Sequence, residues 1–519
     1  MSPFPISQFV VTADQMRDIE GRIFAAGMPV TALMEKVAGL IFRRIIDIFP
    51  LSSQYLKVGI LVGPGHNGGD AVVVARELHL HGYQVCLYHP FNKSKDLTSR
   101  HLEYAQSLGI PSHQSLKALQ TCNFFIDGLF GFGLERAITD NLAQDIEQIN
   151  QWDRPVVSID LPSGIHTDTG EVLGSAICAT YTLCLGLWKQ GLLQEHAIEY
   201  IGKAELIDFG IPISDIEAVL GKLSSVKRIT KNTITANLPL PRPLTTYKYK
   251  QGHLLLVCGS KRYTGGAILT ALGSRASGVG MLSVAVPESI KHLLVSHLPE
   301  AVIIGCPETE TGAISNIPFP AEKDFNSFSA IVCGPGITTD ATSIVEQILA
   351  SNKPLILDAD GLNIVAKMGT SSTLQKRQAD TILTPHTGEF TRLFLDIKNL
   401  GKDRIDATKE AANQSGAVVL LKGARTVIAA PNGNTWINPE STPALARGGS
   451  GDVLAGLMGG LLAQSTSDKS SLNVNVVDTV ATSVWWHAQA GILAAAERTE
   501  LGVDAFTLTQ YLLPVISNI

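Results

Sequence analysis

The feature of this sequence that most constrains its fold is a repeated alternation of short apolar runs, glycine-bearing polar turns and helix-like segments. In the second half of the chain such runs occupy residues 252–260, 281–286, 330–333, 354–358, 381–384 and 418–422. Short continuous apolar runs are typical of strands buried on both faces, and intervening helices are typical of parallel sheets. We therefore predict an α/β protein with a doubly wound parallel sheet and a crevice at the carboxyl ends of its strands.

The first half repeats this pattern, and a break in composition separates the two halves. Its apolar runs occupy residues 58–62, 83–88, 124–127 and 156–160. Because the chain has 519 residues, two or more domains are expected. Prolines at the alternate positions 239, 241 and 243 resist both helix and sheet. We therefore predict a first domain at residues 1–220, a linker at 221–245 and a second domain at 246–519.

The composition argues against several classes of protein. The net charge of −6 predicts no broad basic surface and hence no nucleic-acid partner. No apolar run is long enough to cross a bilayer, and no basic segment followed by an apolar core marks a signal peptide. Seven scattered cysteines without a CxxC pair favour reduced thiols over a disulfide scaffold or a zinc site. Together these features predict a cytoplasmic protein without a membrane anchor.

A glycine-rich turn within residues 446–456 carries the strongest chemical signal. The turn contains Gly448, Gly449, Ser450 and Gly451. An apolar, helix-like run follows at once, so backbone N–H groups and the positive end of a helix dipole would face one side, which suits a phosphate. Asp452 adjoins this nest, where a carboxylate can take a proton from a hydroxyl, and the motif therefore predicts phosphoryl transfer to an alcohol. For such a motif alone, a glycine-rich turn capped by an aspartate is the simpler interpretation.

A second polar group follows the strand predicted at 418–422. It consists of Lys422, Gly423, Ala424, Arg425 and Thr426. This group would place a positive charge and a hydroxyl near a nucleotide. A lysine at a strand end is more often simply solvated, so the interpretation depends on the glycine-rich turn downstream.

Four polar residues in the first half lie beside glycine-rich turns that follow predicted strands. They are Asn67, Asp127, Asp160 and Ser163. Since the carboxyl ends of parallel strands share one edge, we expect these side chains to converge there. Each acid taken singly is more simply explained as a helix cap. Taken together, the oxygen donors with only two carboxylates suit a weakly charged cation better than a transition metal.

Three motifs identify this half more closely: GPGHNGGD at 63–70, the strand ending in Asp127 with GFG after it, and DLPSGIHTDTG at 160–170. In these motifs, over about residues 10–215, the chain resembles the epimerase domain of the NAD(P)H-hydrate repair proteins, the YjeF N-terminal family. The resemblance implies a Rossmann-like three-layer fold and a potassium ion held by Asn67, Asp127 and Ser163. It implies substrate contacts from His66, Asn67, Gly68, Gly69, Asp70, Gly131, Phe132, Gly133, Leu134, Glu135, Arg136, Ala137 and Asp160. His66 stands where the family commonly has a second asparagine, and its role stays open.

The second half carries GPG, LDADGLN, TPHTGEF, KGART and ALARGGSGDVLAG in that order, over about residues 250–515. In these motifs it resembles the ribokinase-like superfamily, and within it the ADP/ATP-dependent NAD(P)H-hydrate dehydratases. The resemblance implies that the hydrated nicotinamide nucleotide is contacted by Ala267, Gly336, His386 and Asp452. It implies that ADP or ATP, accompanied by Mg²⁺, is held by Lys422, Gly423, Ala424, Arg425, Thr426, Gly448, Gly449, Ser450 and Gly451. Asp452 would be the acid–base residue. Arg447 and Gly361 differ from the residues that are common in the family at these positions, but neither lies at the centre of a motif.

Together the two resemblances predict a bifunctional enzyme that repairs hydrated NADH and NADPH (NADHX and NADPHX). One domain would interconvert the R and S epimers, with Asp160 or Asp127 handling the proton. The other would phosphorylate the C6 hydroxyl of the S epimer, and the ring nitrogen would then expel phosphate, leaving AMP if ADP is the donor. A single fused chain resembles the bacterial relatives that use ADP, so we expect ADP. Because members of this family assemble, we also expect a homo-oligomer.

Two other classes of function stay open on the sequence. One is a vitamin-type kinase, for hydroxymethylpyrimidine or pyridoxal, fused to a nucleotide-binding domain. The other is a non-catalytic nucleotide sensor. The GPG and TPHTGEF motifs argue against the kinase, and the intact Asp452 beside GGSG argues against the sensor.

Overall fold

The computed structural model describes residues 6–221, 226–466 and 475–517. The chain divides into two units, of which the first ends at Val226 and the second begins at Lys227. Both units consist of a sheet covered by helices.

The strands of the first unit are β1 (Val10–Val11), β2 (Lys57–Val62), β3 (Gln84–Tyr88), β4 (Ser112–His113), β5 (Phe124–Gly128), β6 (Val156–Ile159), β7 (Tyr181–Leu185), β8 (Trp188–Lys189) and β9 (Lys203–Ile207). Its helices are α1 (Ala13–Ala25), α2 (Val30–Ile48), α3 (His66–Leu80), α4 (Asp96–Ser107), α5 (Asp140–Gln151), α6 (Ile198–Ile201) and α7 (Ile213–Leu220). The main sheet is parallel, in the order β4-β3-β2-β5-β6-β7-β9, and β1 pairs separately with β8.

Both faces of this sheet are covered, which confirms the Rossmann-like three-layer prediction. Side chains of successive strand residues point to opposite faces. On β2, Ile60 packs into the cluster that contains α2 and α3, whereas Leu61 packs with Ile146 and Ile149 of α5. The strand order reverses between β2 and β5, so the loops after these two strands open a crevice at the carboxyl edge.

Helices α1 and α2 lie near the N-terminus of the first unit. Thr12 begins α1 with a capping box, in which its side chain accepts from the Gln15 backbone N–H and the Gln15 side chain accepts from Thr12. Pro29 lies directly before α2, where its fixed φ and missing N–H cost nothing. The local sequence therefore determines where these helices begin.

The GPGHNGGD motif at 63–70 is only partly a loop. Although its four glycines are typical of a turn, its residues from His66 onward already belong to α3. A Cβ on Gly68 would lie 2.0 Å from the Gly63 carbonyl oxygen, so the helix can approach the preceding turn this closely only with glycine there. Residues 66–70 therefore form the first turns of a helix whose N-terminus faces the crevice.

The strands of the second unit are β10 (Val226–Arg228), β11 (His253–Val257), β12 (Met281–Pro287), β13 (Val302–Cys306), β14 (Ala330–Cys333), β15 (Leu355–Leu357), β16 (Thr381–Leu383), β17 (Val418–Leu421), β18 (Val427–Ala429) and β19 (Thr435–Ile437). Its helices are α8 (Lys231–Asn237), α9 (Thr264–Ala276), α10 (Lys291–His297), α11 (Thr342–Leu349), α12 (Asp360–Met368), α13 (Thr370–Leu374), α14 (Thr387–Leu393), α15 (Arg404–Ser415), α16 (Ser450–Ser465), α17 (Val476–Arg498) and α18 (Ala505–Ser517). The strand order is β10-β19-β18-β17-β16-β15-β14-β11-β12-β13.

The second sheet is doubly wound, as predicted. Leu254 and Leu256 of β11 pack in the cluster that contains α9, α16 and α17, whereas Leu255 and Val257 pack with α11, α12 and α15. Strands β11 to β17 pair in parallel, and β18 and β19 add an antiparallel hairpin whose turn contains Asn432 and Gly433. The order reverses between β11 and β14, which places the second crevice after these strands.

Part of the range predicted as a linker, 221–245, is folded. Strand β10 and helix α8 lie within it, and Ile229, Ile234 and Leu238 are buried in the same cluster as Leu254. The alternating prolines follow α8 in the sequence, so they interrupt neither β10 nor α8. Residues 222–225 of the range lie outside the described residues.

Among the described residues, no helix is both long enough and apolar enough to cross a membrane.

Two candidate active sites

The first unit holds a cavity of about 920 Å³ at its crevice, a size typical of small-molecule sites. The loops after β2, β5 and β6 line it together with α1, α2 and the start of α3. The predicted residues that line it are His66, Asn67, Asp70, Gly131, Phe132, Gly133, Leu134, Glu135, Arg136 and Asp160. The cavity lining does not include Gly68, Gly69, Ala137, Asp127 or Ser163.

The start of α3 supplies donors to this cavity. The first backbone N–H groups of a helix have no intrahelical partner. Gly65 precedes α3, and no described side chain caps this helix, so these N–H groups remain available to a ligand. His66 and Asn67 occupy the first two helical positions. Partial burial and the nearby Lys95 lower the pKa of His66, which favours its neutral form. An uncharged, uncapped helix N-terminus at a cavity is suited to an anionic group.

Asp160 is held rigidly at the cavity wall. Its Oδ1 accepts a hydrogen bond from the Leu185 N–H at 3.2 Å, and its Oδ2 accepts from the Phe132 N–H at 3.1 Å. Its backbone φ is +69°, a left-handed conformation that few residues other than glycine adopt. Strain of this kind clusters at functional sites, where surrounding contacts enforce it.

Asp160 also forms a buried ion pair that the sequence analysis missed. The Nζ of Lys189 lies 2.6 Å from Asp160 Oδ1, and the two side chains are 0% and 4% exposed. The same Nζ donates to the Leu185 carbonyl oxygen at 2.5 Å. Burial opposes the charge on Lys189, but Asp160, Cys184 and Glu20 together more than offset it and raise the pKa of Lys189. Lys189 and Asp160 therefore form a charged pair.

Two further carboxyl groups line the cavity and favour the protonated state. Burial raises the pKa of Glu20 to about 7, with Lys189 opposing and Asp160 adding to this effect. Burial likewise raises the pKa of Asp70 well above its ordinary value, with contributions from Asp160 and Glu20. The cavity thus combines a carboxylate paired with Lys189 and two carboxyl groups whose pKa values burial raises.

Asp127 and Ser163 form a separate network beneath the cavity wall. Asp127 is fully buried and accepts from the Ser163 Oγ at 2.6 Å, the Ser163 N–H at 2.8 Å, the Ser158 Oγ at 2.8 Å and the Leu129 N–H at 3.2 Å. Burial nevertheless raises the pKa of Asp127, and these hydrogen bonds only partly offset it. This placement makes Asp127 a structural anchor for the loop after β5.

Asn67 connects the cavity with this network. Gly128 follows Asp127, and a Cβ built on it would lie 3.1 Å from the backbone carbonyl oxygen of Asn67. A Cβ built on Gly131, in the cavity wall, would lie 3.2 Å from the side-chain Oδ1 of Asn67. Its Nδ2 is buried without a hydrogen-bond partner among the described residues. The donors here are carboxylate, hydroxyl, amide and carbonyl oxygens, a set that fits a weakly charged hard cation such as potassium.

The second unit holds a cavity of about 440 Å³ between the loops after β11 and β14 and the start of α16. The predicted residues Gly336, Gly448, Gly449 and Asp452 line it. Arg262, Tyr263 and Asp360 also line it and were not predicted. The glycine-rich turn and the GPG loop therefore line the same cavity.

The start of α16 is built to leave its N–H groups available. Gly449 precedes the helix with φ +92°, and a Cβ there would lie 2.5 Å from Leu269, so only glycine fits. No described side chain caps this helix. His487 lies beneath it, with its Nε2 3.0 Å from the Ser450 carbonyl oxygen, and burial lowers the pKa of His487 to about 4. A neutral His487 fixes the turn from below without adding charge.

Asp452 stands beside this helix start within a charged network. Burial raises the pKa of Asp452 to about 7, and the neighbouring Asp358 adds to this effect while Lys422 opposes it. Lys422 Nζ donates to Asp358 Oδ1 at 2.8 Å and would lie 3.4 Å from a Cβ on Gly451. Burial opposes the charge on Lys422, but Asp358, Glu389 and Asp452 raise its pKa. A carboxyl group with a pKa near neutrality is suited to accept a proton from a hydroxyl.

Other predicted residues of this site lie outside the cavity lining. Gly423 and Thr426 hydrogen-bond each other across the turn after β17, with Thr426 Oγ1 donating to the Gly423 carbonyl oxygen at 3.0 Å. Ala424 and Arg425 lie within the same turn. His386 is half exposed and caps α14, its Nδ1 accepting from the Gly388 N–H at 3.0 Å. Ala267 is fully buried next to Gly259. Of the predicted residues 422–426, it is Lys422 whose side chain lies near Gly451, with its Nζ 3.4 Å from a Cβ built on that glycine.

The residues that the sequence analysis missed had weak signals. Glu20 lies four positions after Met16 on the apolar stripe of α1, where a carboxylate is unusual. Lys189 follows the apolar residues Leu187 and Trp188. Asp358 belongs to the quoted LDADGLN motif, but nothing in that motif indicated that it would adjoin Asp452.

Family comparisons agree with this division. A family model described as NAD(P)H-hydrate dehydratase matches residues 254–514. A second model, described as YjeF-related protein N-terminus, matches residues 30–191.

Full-length relatives also agree with this division. The bifunctional NAD(P)H-hydrate repair enzyme Nnr of Synechocystis sp. is 52% identical over 98% of this chain and 95% of its own. The protein of the same name from Thermosynechococcus vestitus is 50% identical over 99% of this chain and 98% of its own. The ADP/ATP-dependent NAD(P)H-hydrate dehydratase of Bacillus subtilis, co-crystallised with ATP/Mg²⁺, is 32% identical and covers 56% of this chain and 97% of its own, with a TM-score of 0.47. On the full-length matches, the chain belongs to the family of bifunctional NAD(P)H-hydrate repair enzymes.

Proposed function

We propose that this chain interconverts the R and S epimers of NADHX and NADPHX in its first unit and dehydrates the S epimers, at the expense of ADP, in its second. The observation that carries the proposal is Asp452, with a pKa of about 7, beside the uncapped N-terminus of α16. We assign the epimerase to residues 1–220 and the dehydratase to 246–519. Residues 221–245 connect them, with β10 and α8 belonging to the second fold.

In the dehydratase, Asp452 takes the proton from the C6 hydroxyl of the substrate. The backbone N–H groups from Gly449 to Gly451 stabilise the phosphoryl group during transfer from ADP to that oxygen. The lone pair of the ring nitrogen then expels phosphate, leaving a C6=N1 iminium ion, and loss of a proton from C5 restores the dihydronicotinamide ring, while AMP remains. Lys422, held by its hydrogen bond to Asp358, is proposed to neutralise charge on the nucleotide.

Mg²⁺ in such sites is held by one or two carboxylates together with the phosphates of the nucleotide. Asp358 and Asp452 are the carboxylates that influence each other here, which fits this mode of binding. The ion would supply charge neutralisation at the phosphates. His386, Ala267 and Gly336 are proposed to position the nicotinamide half of the substrate.

In the epimerase, Asp160 is proposed to handle a proton, because it lines the cavity, whereas the Asp127 carboxylate is enclosed by four hydrogen bonds. The N-terminus of α3 would bind a phosphate of the substrate. Asn67, Asp127 and Ser163 would hold potassium, which orders the loop after β5 from below.

The central test supplies the full-length protein with NADHX and follows recovery of NADH absorbance. ADP should support recovery of the whole R and S mixture, whereas ATP should support it more slowly or not at all. Without nucleotide, the epimers should still interconvert on chromatography. Failure to recover NADH with either nucleotide would refute the dehydratase assignment.

The potassium proposal has its own test. Asp127→Ala should reduce epimerisation and remove its dependence on potassium, while dehydration of purified S epimer stays unchanged. Full epimerisation by Asp127→Ala would remove the ion from the proposal. We further propose that the enzyme works in the cytoplasm as a homo-oligomer, which light scattering of the purified protein would check.

A further inference from the structure

Epimerisation at C6 requires two proton transfers, whichever bond breaks. If the ring opens, the C6 hydroxyl loses a proton as the C6–N1 bond breaks, and N1, which receives the bonding electrons, takes up a proton. If water leaves, the hydroxyl gains a proton as the C6–O bond breaks and N1 forms a double bond to C6, and the returning water then gives up a proton. Both routes need one proton donor and one proton acceptor. When the ring closes, or water returns, on the other face of C6, both groups regain their initial protonation states.

Asp160 is suited to only one of these roles. Its ion pair with Lys189, at 2.6 Å, and its two backbone donors stabilise the carboxylate. A carboxylate held in this way accepts a proton transiently but does not begin the reaction carrying one. The donor must therefore be another group in the cavity.

We propose that Glu20, on α1, is this proton donor and so a second catalytic residue of the first cavity. Glu20 lines the same cavity as Asp160 and Lys189. Apolar side chains of Phe24, Leu33 and Met34 line the cavity with it, and apolar surroundings keep a carboxyl group protonated. The proposal rests on the epimerase activity proposed above and names the group that completes it.

Helix α1 is fixed firmly enough to place such a group. The Ala13 N–H donates to Asp168 Oδ1 at 2.7 Å, and Arg22 Nε donates to Asp215 Oδ1 at 3.1 Å. Met16 and Ile19 are fully buried on the same helix. Glu20 is thus held between two anchored ends of α1.

The other charged and titratable groups of the cavity fit the donor role less well. Those that line it with Glu20 are Arg17, His66, Asp70, Lys95, Glu135, Arg136, Asp160 and Lys189. Arginine does not release a proton in proteins, Lys189 is committed to Asp160, and His66 is held neutral. Asp70 is the closest competitor, because burial raises its pKa as well, and the Asp70→Asn variant below distinguishes the two.

The test measures interconversion of purified R-NADHX and S-NADHX by the full-length protein without nucleotide. Glu20→Gln should lower kcat by about a hundredfold or more while KM changes little. Wild-type kcat/KM should fall as the pH rises through about 7, since the donor loses its proton, and Glu20→Gln should lack this limb. Glu20→Asp, which keeps the acid, should recover part of the rate.

Matched controls separate chemistry from folding. Asp18→Asn removes an exposed carboxylate two positions earlier on α1 and should leave interconversion unchanged. Thermal unfolding of Glu20→Gln should match that of the wild type or exceed it. A Glu20→Gln variant that keeps its kcat, or that changes only in KM, would overturn the proposal. Loss of activity in Asp70→Asn but not in Glu20→Gln would overturn it as well. If the wild type itself fails to interconvert the epimers, the epimerase assignment fails instead.

Discussion

Replacing Asp452 by asparagine tests the geometry of the second cavity most directly. The substitution keeps the shape of the side chain but removes its ability to take a proton. A positioned acid–base group contributes about a hundredfold to ten-thousandfold to a rate, so ADP-dependent dehydration of S-NADHX should fall by that factor. Epimerisation should be unchanged, because it is assigned to the first unit.

The same substitution should stabilise the fold at alkaline pH. The pKa of Asp452 is about 7 against an ordinary 3.8, a difference of about three pH units. At about 1.4 kcal/mol per unit, ionised Asp452 costs the native state at most about 4 kcal/mol, and partial solvent access reduces this value. Because the folded pKa is the higher one, wild-type stability falls between pH 4 and 7, whereas Asp452→Asn lacks this loss.

The assay combines kinetics and thermal unfolding of the two proteins at pH 4.5, 6 and 8. The advantage of Asp452→Asn in unfolding temperature should grow up to about pH 7 and then stay constant. Asp478→Asn is a matched control, because Asp478 is also the third residue of a helix, α17, but lies outside the cavity lining. It should leave both activities unchanged.

Three results would refute this reasoning. Dehydration within tenfold of wild type in Asp452→Asn would exclude its acid–base role. Equal loss of both activities would contradict two separate sites. An absence of added stability at pH 8 would show that burial and Asp358 do not raise the pKa of Asp452.

Three further substitutions test other parts of the structure. Lys189→Met should lower the unfolding free energy by about 3–5 kcal/mol, since it leaves Asp160 buried without its partner; adding Asp160→Asn should recover part of this loss in denaturant unfolding, and no recovery would argue against the ion pair. Gly131→Ala should slow epimerisation by up to about a hundredfold in the chromatographic assay, because a Cβ there lies 3.2 Å from Asn67 Oδ1, and an unchanged rate would place the substrate elsewhere. Ala359→Gly should stabilise the protein by about 1 kcal/mol in thermal unfolding, because Ala359 has φ +48°, and destabilisation would show that this conformation is not strained.

The sequence predicted the parts of both sites that are local. A strand, a glycine-rich turn and a helix start lie consecutively in the chain, so their pattern indicated where backbone donors would face a crevice. Asn67 and Asp452 could be named for this reason. The start of α3 at His66 is less evident from the sequence, because helix propensity disfavours the glycine that close packing requires at position 68.

The sequence by itself determined the alternation of buried strands and helices, and with it the two sheets and the edge at which each site lies. Only the tertiary structure decided which charged groups meet there. The pairing of Asp160 with Lys189, and of Lys422 with Asp358 beside Asp452, joins segments far apart in the chain. The protonation of Glu20 and Asp452 depends on burial and on such neighbours, which arise only when the whole domain has packed.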